Sequence, residues 1–332
     1  MDVPAWIWAV TIAALLAVLA IDLFLVDHHP HEVTVAESAR WVVFYVLLAV
    51  GFGVGLGLAS GGGHAKEFFA GYITEYSLSV DNLFVFVVIM GAFKVPRIHQ
   101  HKVLLFGILT ALVLRGVFIA AGAAVIARFE WVFYIFGAFL VLTAVRLARE
   151  GDHEGEEYKD NAVLRVMRRI LPMTDDYHGA RTMVKLRGRR YVTPMLVVML
   201  AIGTTDILFA LDSIPAIFGL TKEPYIVFTA NVFALMGLRQ LYFLIGGLIT
   251  RLVYLSKGLA VILAFIGVKL IFEALAGSGV HWAPHIGIEL SLSVIVGVLA
   301  LTTIASLLRD RRAAAVEPTT HEQLETVRRA ER

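Results

Sequence analysis

Two stretches of the 332-residue chain set ionisable side chains inside runs that otherwise suit only a lipid interior: "EYSLSVDNLFVF" from Glu75 and "DILFALDSIPAI" from Asp206. They share one frame: a carboxylate, five mostly apolar residues, an aspartate and a small polar residue. Glu75 thus aligns with Asp206, Asp81 with Asp212, and Asn82 with Ser213. Carboxylates, a carboxamide and a hydroxyl are hard oxygen donors, the chemistry that suits Mg2+, Ca2+ or Mn2+. Buried carboxylates can also take up protons in exchange for a metal. The chain has no cysteine, which rules out thiolate sites and disulfides. Its histidines His28, His29, His31, His99 and His101 fall in polar breaks, so a Cys/His zinc site within a membrane is not expected. The "DHHPH" run reads as a solvated turn rather than a metal trap. A charged residue near a bilayer centre costs roughly 2.5–3.5 kcal/mol, which makes function the default expectation for each of these acids.

Spacing limits how they can act together. Residues six apart on a helix lie about 120° apart around the axis and ~9 Å along it, so Glu75 and Asp81 cannot both face one ion from a straight helix. Either the helix is broken between them, or each repeat gives its second aspartate to a central site and its first acid to a neighbouring one. In the second copy Gly203, Thr204, Thr205 and Pro215 favour local irregularity. Pro215 also leaves the Leu211 carbonyl, beside Asp212, without its helical donor.

The elements that must position these residues are transmembrane helices. The chain is 58% apolar and 17% charged, with mean hydropathy +0.78, far from the ~25% charged usage of soluble domains. Runs of about 20 apolar residues, the length that crosses a hydrocarbon core, predict nine spans near 5–26, 39–60, 68–92, 102–126, 130–149, 192–219, 225–249, 252–276 and 286–308. The expected fold is an all-α, polytopic transmembrane bundle over 1–312, followed by a tail at 313–332. The N-terminal apolar run lacks a basic leader and is long enough to span, so it reads as a retained first helix. A hydrophilic insert at 150–190 reads as a solvated connector, with protein partners as the alternative use. The formal charge of +2 gives no reason to expect a nucleic-acid partner. Lys and Arg gather on one side of this topology, with Arg40, Lys94, Arg97, Lys102, Arg251, Lys257, the insert and the tail, against Lys66, Arg128 and Lys222 on the other. The excess marks the cytoplasmic side, placing the N-terminus outside and the C-terminus inside. No nucleotide-binding loop is present, and neither ATP coupling nor an enzymatic activity is expected.

The two acidic frames belong to a longer repeat. "TALVLRGVF" resembles "FALMGLRQLYF", pairing Arg115 with Arg239, and "LTAVRLA" resembles "FIGVKLIF", pairing Arg146 with Lys269; the arginine-to-base spacings are 31 and 30. A unit of three spans, about 68–149 and again 192–276, is odd, so the copies enter the membrane from opposite sides. Inverted repeats of this kind build many secondary transporters, with sites near the midplane at the repeat interface.

Other buried charges fall around this frame. Arg115 and Arg239 are deep enough to pair with the acids or to gate a path. Arg146 and Lys269 sit near span ends, where snorkelling or pairing accounts for them. Asp22, in "LAIDLFLVDHH", either completes the coordination or lines an exit. The glycine-dense second span, "VLLAVGFGVGLGLASGGG", reads as close helix packing.

On "EYSLSVDNLFVF", "TTDILFALDSIPAIFGLT" and "TANVFALMGLRQLYFL", the chain resembles the TerC/Alx family of integral membrane proteins, within the wider LysE transporter superfamily. The resemblance covers most of 5–308. It implies an inner-membrane exporter of Mn2+, with Glu75, Asp81, Asp206 and Asp212 handling the ion and Asn82 and Ser213 as neutral donors. The partners it implies are the lipid bilayer and the transported divalent cation, with no permanently bound cofactor. The family's name refers to tellurium resistance, but tellurite is an anion that a carboxylate-rich pocket should repel, so any such effect is expected to be indirect. Two other readings stay open. One is a membrane interaction or assembly protein whose acids only pair Arg115 and Arg239; the other is an amino-acid exporter that uses the arginines to hold a carboxylate.

Overall fold

The computed structural model describes residues 3–27, 34–129, 131–149, 172–174, 176–186, 189–245, 254–278, 280 and 282–330. The histidines His28, His29 and His31 and most of the first part of the insert, 150–171, lie outside the described residues, as do the side chains of Asp22 and Asp81 and those beyond Arg309.

Ten helices and one hairpin make up the described chain: α1 Ala5–Asp27, α2 Val35–Ser60, α3 Gly62–Ala92, α4 Arg97–Ile126, α5 Val132–Arg149, β1 Met183–Leu186, β2 Arg189–Val192, α6 Pro194–Phe218, α7 Pro224–Leu235, α8 Leu238–Ile245, α9 Leu255–Gly277 and α10 Ile288–Ala330. Prolines at the starts of α6 and α7 use positions where a helix has no need of the missing N–H. Among the described residues, eight helical segments, one of them α7 with α8, are long and apolar enough to cross a membrane; α1 adds a shorter apolar run, Ala5–Ile21. The polytopic helical bundle expected from composition is what the chain forms. Its outer surface is apolar in helical register, as Val43, Leu47, Val50, Val54 and Leu58 on α2 and Val113 and Val117 on α4 show. That is the surface a bundle must present where no water reaches the backbone.

Polar contacts mark its two ends. At one, Lys66 pairs with Glu289, the Thr221 hydroxyl donates to Glu67 at 2.5 Å, and Lys222 meets Glu273 at 2.7 Å. At the other, the Tyr177 hydroxyl donates to the Phe93 carbonyl at 2.8 Å and the Tyr254 N–H to Ser306 Oγ at 3.0 Å. Burial pushes the Tyr177 phenol up to about 12, so it remains a donor at any physiological pH. The end of the 150–190 insert has local structure of its own. It folds into the β1–β2 hairpin, which pairs Met183 with Val192, and is tied back by the Thr174 N–H to the Val192 carbonyl at 2.9 Å.

Inside, α7 is the central element: every residue from Tyr225 to Leu235 except Phe228 is buried. The most extensive helix contact joins α5 to α9, followed by α3 with α7 and α4 with α6. The α5–α9 seam is tight because two glycines face each other. A Cβ on Gly137 would lie 2.7 Å from the Gly267 carbonyl oxygen, and one on Gly267 would lie 2.8 Å from that of Gly137.

The backbone irregularity expected around Gly203 to Pro215 is not where the sequence placed it. α6 runs unbroken through Pro215, which stands within one turn of its end. The hydroxyls of Thr204 and Thr205 fold back onto the Leu200 and Ala201 carbonyls at 2.7 and 2.8 Å, inside the helix. The break falls in the next span instead, at Met236 and Gly237, so the described part of the span expected at 225–249, as far as Ile245, is two helices rather than one. Gly237 has φ +80°, which disfavours any side chain, and the Tyr45 ring leaves its Cβ position only 2.8 Å.

The seam gives a stability prediction. Gly267→Ala should lower stability by about 1–3 kcal/mol, the usual range for overpacking, read as a lower melting temperature in detergent. Gly116→Ala, which meets nothing within 4 Å, is the control. Equal melting temperatures for the two would show that the seam tolerates a methyl group.

Candidate functional site

Glu75, on α3, faces the bundle interior with no exposed surface, and Arg115, on α4, is the largest fully buried side chain described. The two form a salt bridge. Arg115 Nη1 also donates to Asn231 Oδ1 on α7 at 3.0 Å, and Nη2 lies 3.8 Å from Asp206 Oδ1 on α6. Four helices thus each give one side chain to a single buried cluster of two carboxylates, one carboxamide and one guanidinium. Within it, Glu75 Oε2, Asp206 Oδ2, Asn231 Nδ2 and Arg115 Nε have no hydrogen-bond partner. Such orphaned atoms are rare in protein interiors and call for a functional account.

Glu75 and Asp206 hold the same position in the shared sequence frame, and the fold brings them to the same guanidinium. Asp212 goes elsewhere. It accepts from the Thr143 hydroxyl of α5 at 3.2 Å and feels the charge of Arg146, which is itself exposed. Because α6 is continuous, its two acids diverge as helix geometry requires. The division anticipated between a central and a neighbouring site is reversed on α6: the first acid is at the buried centre and the second points to the neighbouring helix. Of the neutral donors, Asn82 and Ser213 are both buried, and Ser213 Oγ has no hydrogen-bond partner. Asp81 lies in α3 and Asp22 in α1, with side chains outside the described residues. Arg239 is buried just past the α7–α8 break, where with Gln240, Gly237 and leucines of α1 and α4 it lines a small cleft.

A second polar group lies at the end of the bundle where α6 stops. Lys269 is buried, with Glu273, Glu67 and Lys222 as its electrostatic neighbours, so it does not snorkel outward. Among the described residues no three of His, Cys, Asp and Glu converge on one point as a metal site would require. The oxygens of the Glu75 cluster are therefore gathered around the protein's own cation.

Asn231, Thr143, Glu67 and Thr221 went unnoticed in the sequence. Asn231 had the clearest signal, as a lone carboxamide in the apolar run "IVFTANVFAL". Thr143 carried none, since threonine within a span is commonplace.

The chain matches the family model described as "Integral membrane protein TerC family" over residues 60–314. It is 42% identical to an uncharacterized membrane protein of Myxococcus xanthus, over 92% of this chain and 93% of that one. It is 42% identical to the thylakoid membrane protein TERC of Arabidopsis thaliana, over 84% and 71%. With the protein of Escherichia coli K12 described as "Putative membrane-bound redox modulator Alx" the identity is 38%, over 90% and 93%. No solved structure matches the chain.

Removing one partner of a buried pair leaves the other charged and uncompensated. Arg115→Met should therefore lower stability in metal-free detergent by about 3–5 kcal/mol, and adding Glu75→Gln should recover much of the loss. Additive losses in a thermal-unfolding cycle would mean that the pair is not coupled.

Proposed function

Since the chain belongs to the integral membrane protein TerC family, we propose that it is a secondary transporter that moves Mn2+, or a similar hard divalent cation, out of the cell through the Glu75–Asp206 cluster. The observation that carries the reading is the meeting of these two acids, equivalent in the two copies of the repeat, beside the Asn231 carboxamide in a site closed off from lipid. An all-oxygen set of this kind suits a hard cation. Asp81, Asp212 and Asp22, with Asn82 and Ser213 as neutral donors, supply further stations along the path. Protons exchanged at the carboxylates would be the counter-ion.

The inverted repeat is part of the proposal. Exchanging α3 for α6 and α4 for α7 turns the α3–α7 contact into the α6–α4 contact, and these two are close in extent, while the α5–α9 seam maps onto itself. That is the pattern a two-fold axis in the membrane plane would leave. A LysE-type relationship rests on the same build. The Lys and Arg distribution sets the N-terminus outside and the α3–α4 turn on the cytoplasmic face of the bacterial inner membrane. Export then runs from that face to the one bearing Glu67, Lys222 and Glu273.

The salt bridge itself favours a second reading, an assembly protein whose acids only hold helices together. Flux separates the two. Glu75→Gln and Asp206→Asn should each abolish Mn2+ accumulation by inverted membrane vesicles while the protein stays in the membrane, and Asp81→Asn and Asp212→Asn should do the same. The exchange Glu75→Arg with Arg115→Glu should not restore flux. Transport by the exchanged protein, or by Glu75→Gln, would favour the structural reading.

A further inference from the structure

Arg115 does more than neutralise a carboxylate. A divalent cation held by Glu75, Asp206 and Asn231 needs the oxygens that now face the guanidinium: the Glu75 carboxylate, Asp206 Oδ1 at 3.8 Å and Asn231 Oδ1 at 3.0 Å. Both cations cannot share them, because like charges at such range in a buried site repel strongly. The hold on the guanidinium is also incomplete. Its Nε is buried without a hydrogen-bond partner, so one of the donors of its rigid fork is unused. Glu75 Oε2 and Asp206 Oδ2 remain unpartnered acceptors at the same place.

We propose that Arg115 is a resident cation that competes with the cargo for the Glu75–Asp206 oxygens, so that the site fills only as the guanidinium leaves it and empties as it returns. The inference rests on the transport reading above and adds to it a residue that sets affinity without touching the bound ion. Exchanging a single positive charge for a double one changes the charge of the buried site by only one, which keeps both states tolerable in the bundle. An arginine suits this part because it stays charged throughout, so the competitor cannot be titrated away.

The test uses the full-length protein, purified in detergent for binding and reconstituted for flux. Free Mn2+ is titrated and followed by its paramagnetic resonance signal. Arg115→Gln and Arg115→Ala should bind Mn2+ at least tenfold more tightly than the unaltered protein while transporting it more slowly, since the cargo is no longer displaced. Guanidinium ion added to Arg115→Ala should weaken binding again and restore part of the flux. If neither variant folds, Arg115→Lys decides the matter: the charge is kept but the fork is lost, so affinity should rise severalfold.

Unchanged or weaker Mn2+ binding in the folded variants overturns the proposal and leaves the transport reading standing, as long as the unaltered protein still binds and moves Mn2+. If the unaltered protein neither binds nor moves Mn2+, Mg2+ or Ca2+, the transport reading fails and this inference falls with it.

Discussion

The arrangement of this protein depends on one buried ion pair, Arg115 with Glu75, and on the rule that a charge inside a lipid-facing bundle must be answered from within. Three charged residues at bilayer depth would cost roughly 8–10 kcal/mol on insertion scales. The Glu75 salt bridge and the Asp206 carboxylate, 3.8 Å from Nη2, offset part of that cost, while the two acids repel each other. α3, α4, α6 and α7 each supply one member, so the cluster fixes which helices must meet.

The same constraint explains the rest of the packing. α7 is buried on nearly every side because it carries Asn231 to the centre, and the helices around it cover it with apolar side chains. The helix is interrupted soon after at Met236–Gly237, where a glycine accepts the positive φ and the pressure of the Tyr45 ring. A broken helix is tolerated at membrane depth only where protein, not lipid, surrounds the freed backbone groups. The α5–α9 seam, closed by Gly137 against Gly267, is a contrasting device. It relies on close backbone approach of two glycines rather than on an ion pair.

Much of this could be read from residue order, because hydropathy and repeat spacing are local properties. The apolar runs locate the spans, and the shared frame marks Glu75, Asp81, Asp206 and Asp212 alike. What could not be read was direction. Spacing showed that Asp206 and Asp212 must diverge on a straight helix, but not which would face the centre, since that depends on how α6 is rotated against α4 and α5. Pro215 misled for a related reason. A proline signals a break only when the helix continues well beyond it, and here the helix stops within a turn. The true break, at a glycine in "FALMGLRQ", looked like ordinary glycine in a membrane helix; the tyrosine that presses on it comes from a distant part of the chain. Thr143, which reaches Asp212 from another helix, was invisible for the same reason.

One guanidinium shared between two carboxylates suits the transport proposed above better than a fully paired cluster would. If the carboxylates were bare, a divalent ion would bind too tightly to leave; if they were fully satisfied by arginine, it would never enter. One guanidinium set against two carboxylates lies between those limits, leaving oxygens uncommitted on both Glu75 and Asp206. On the transport reading proposed above, the two acids belong to different copies of the repeat, so a rocking of one copy against the other would alter the distance between them and with it the strength of Arg115's hold. The shared sequence frame would then have a physical consequence: the motion that opens the site to one face would also change what the site prefers to bind.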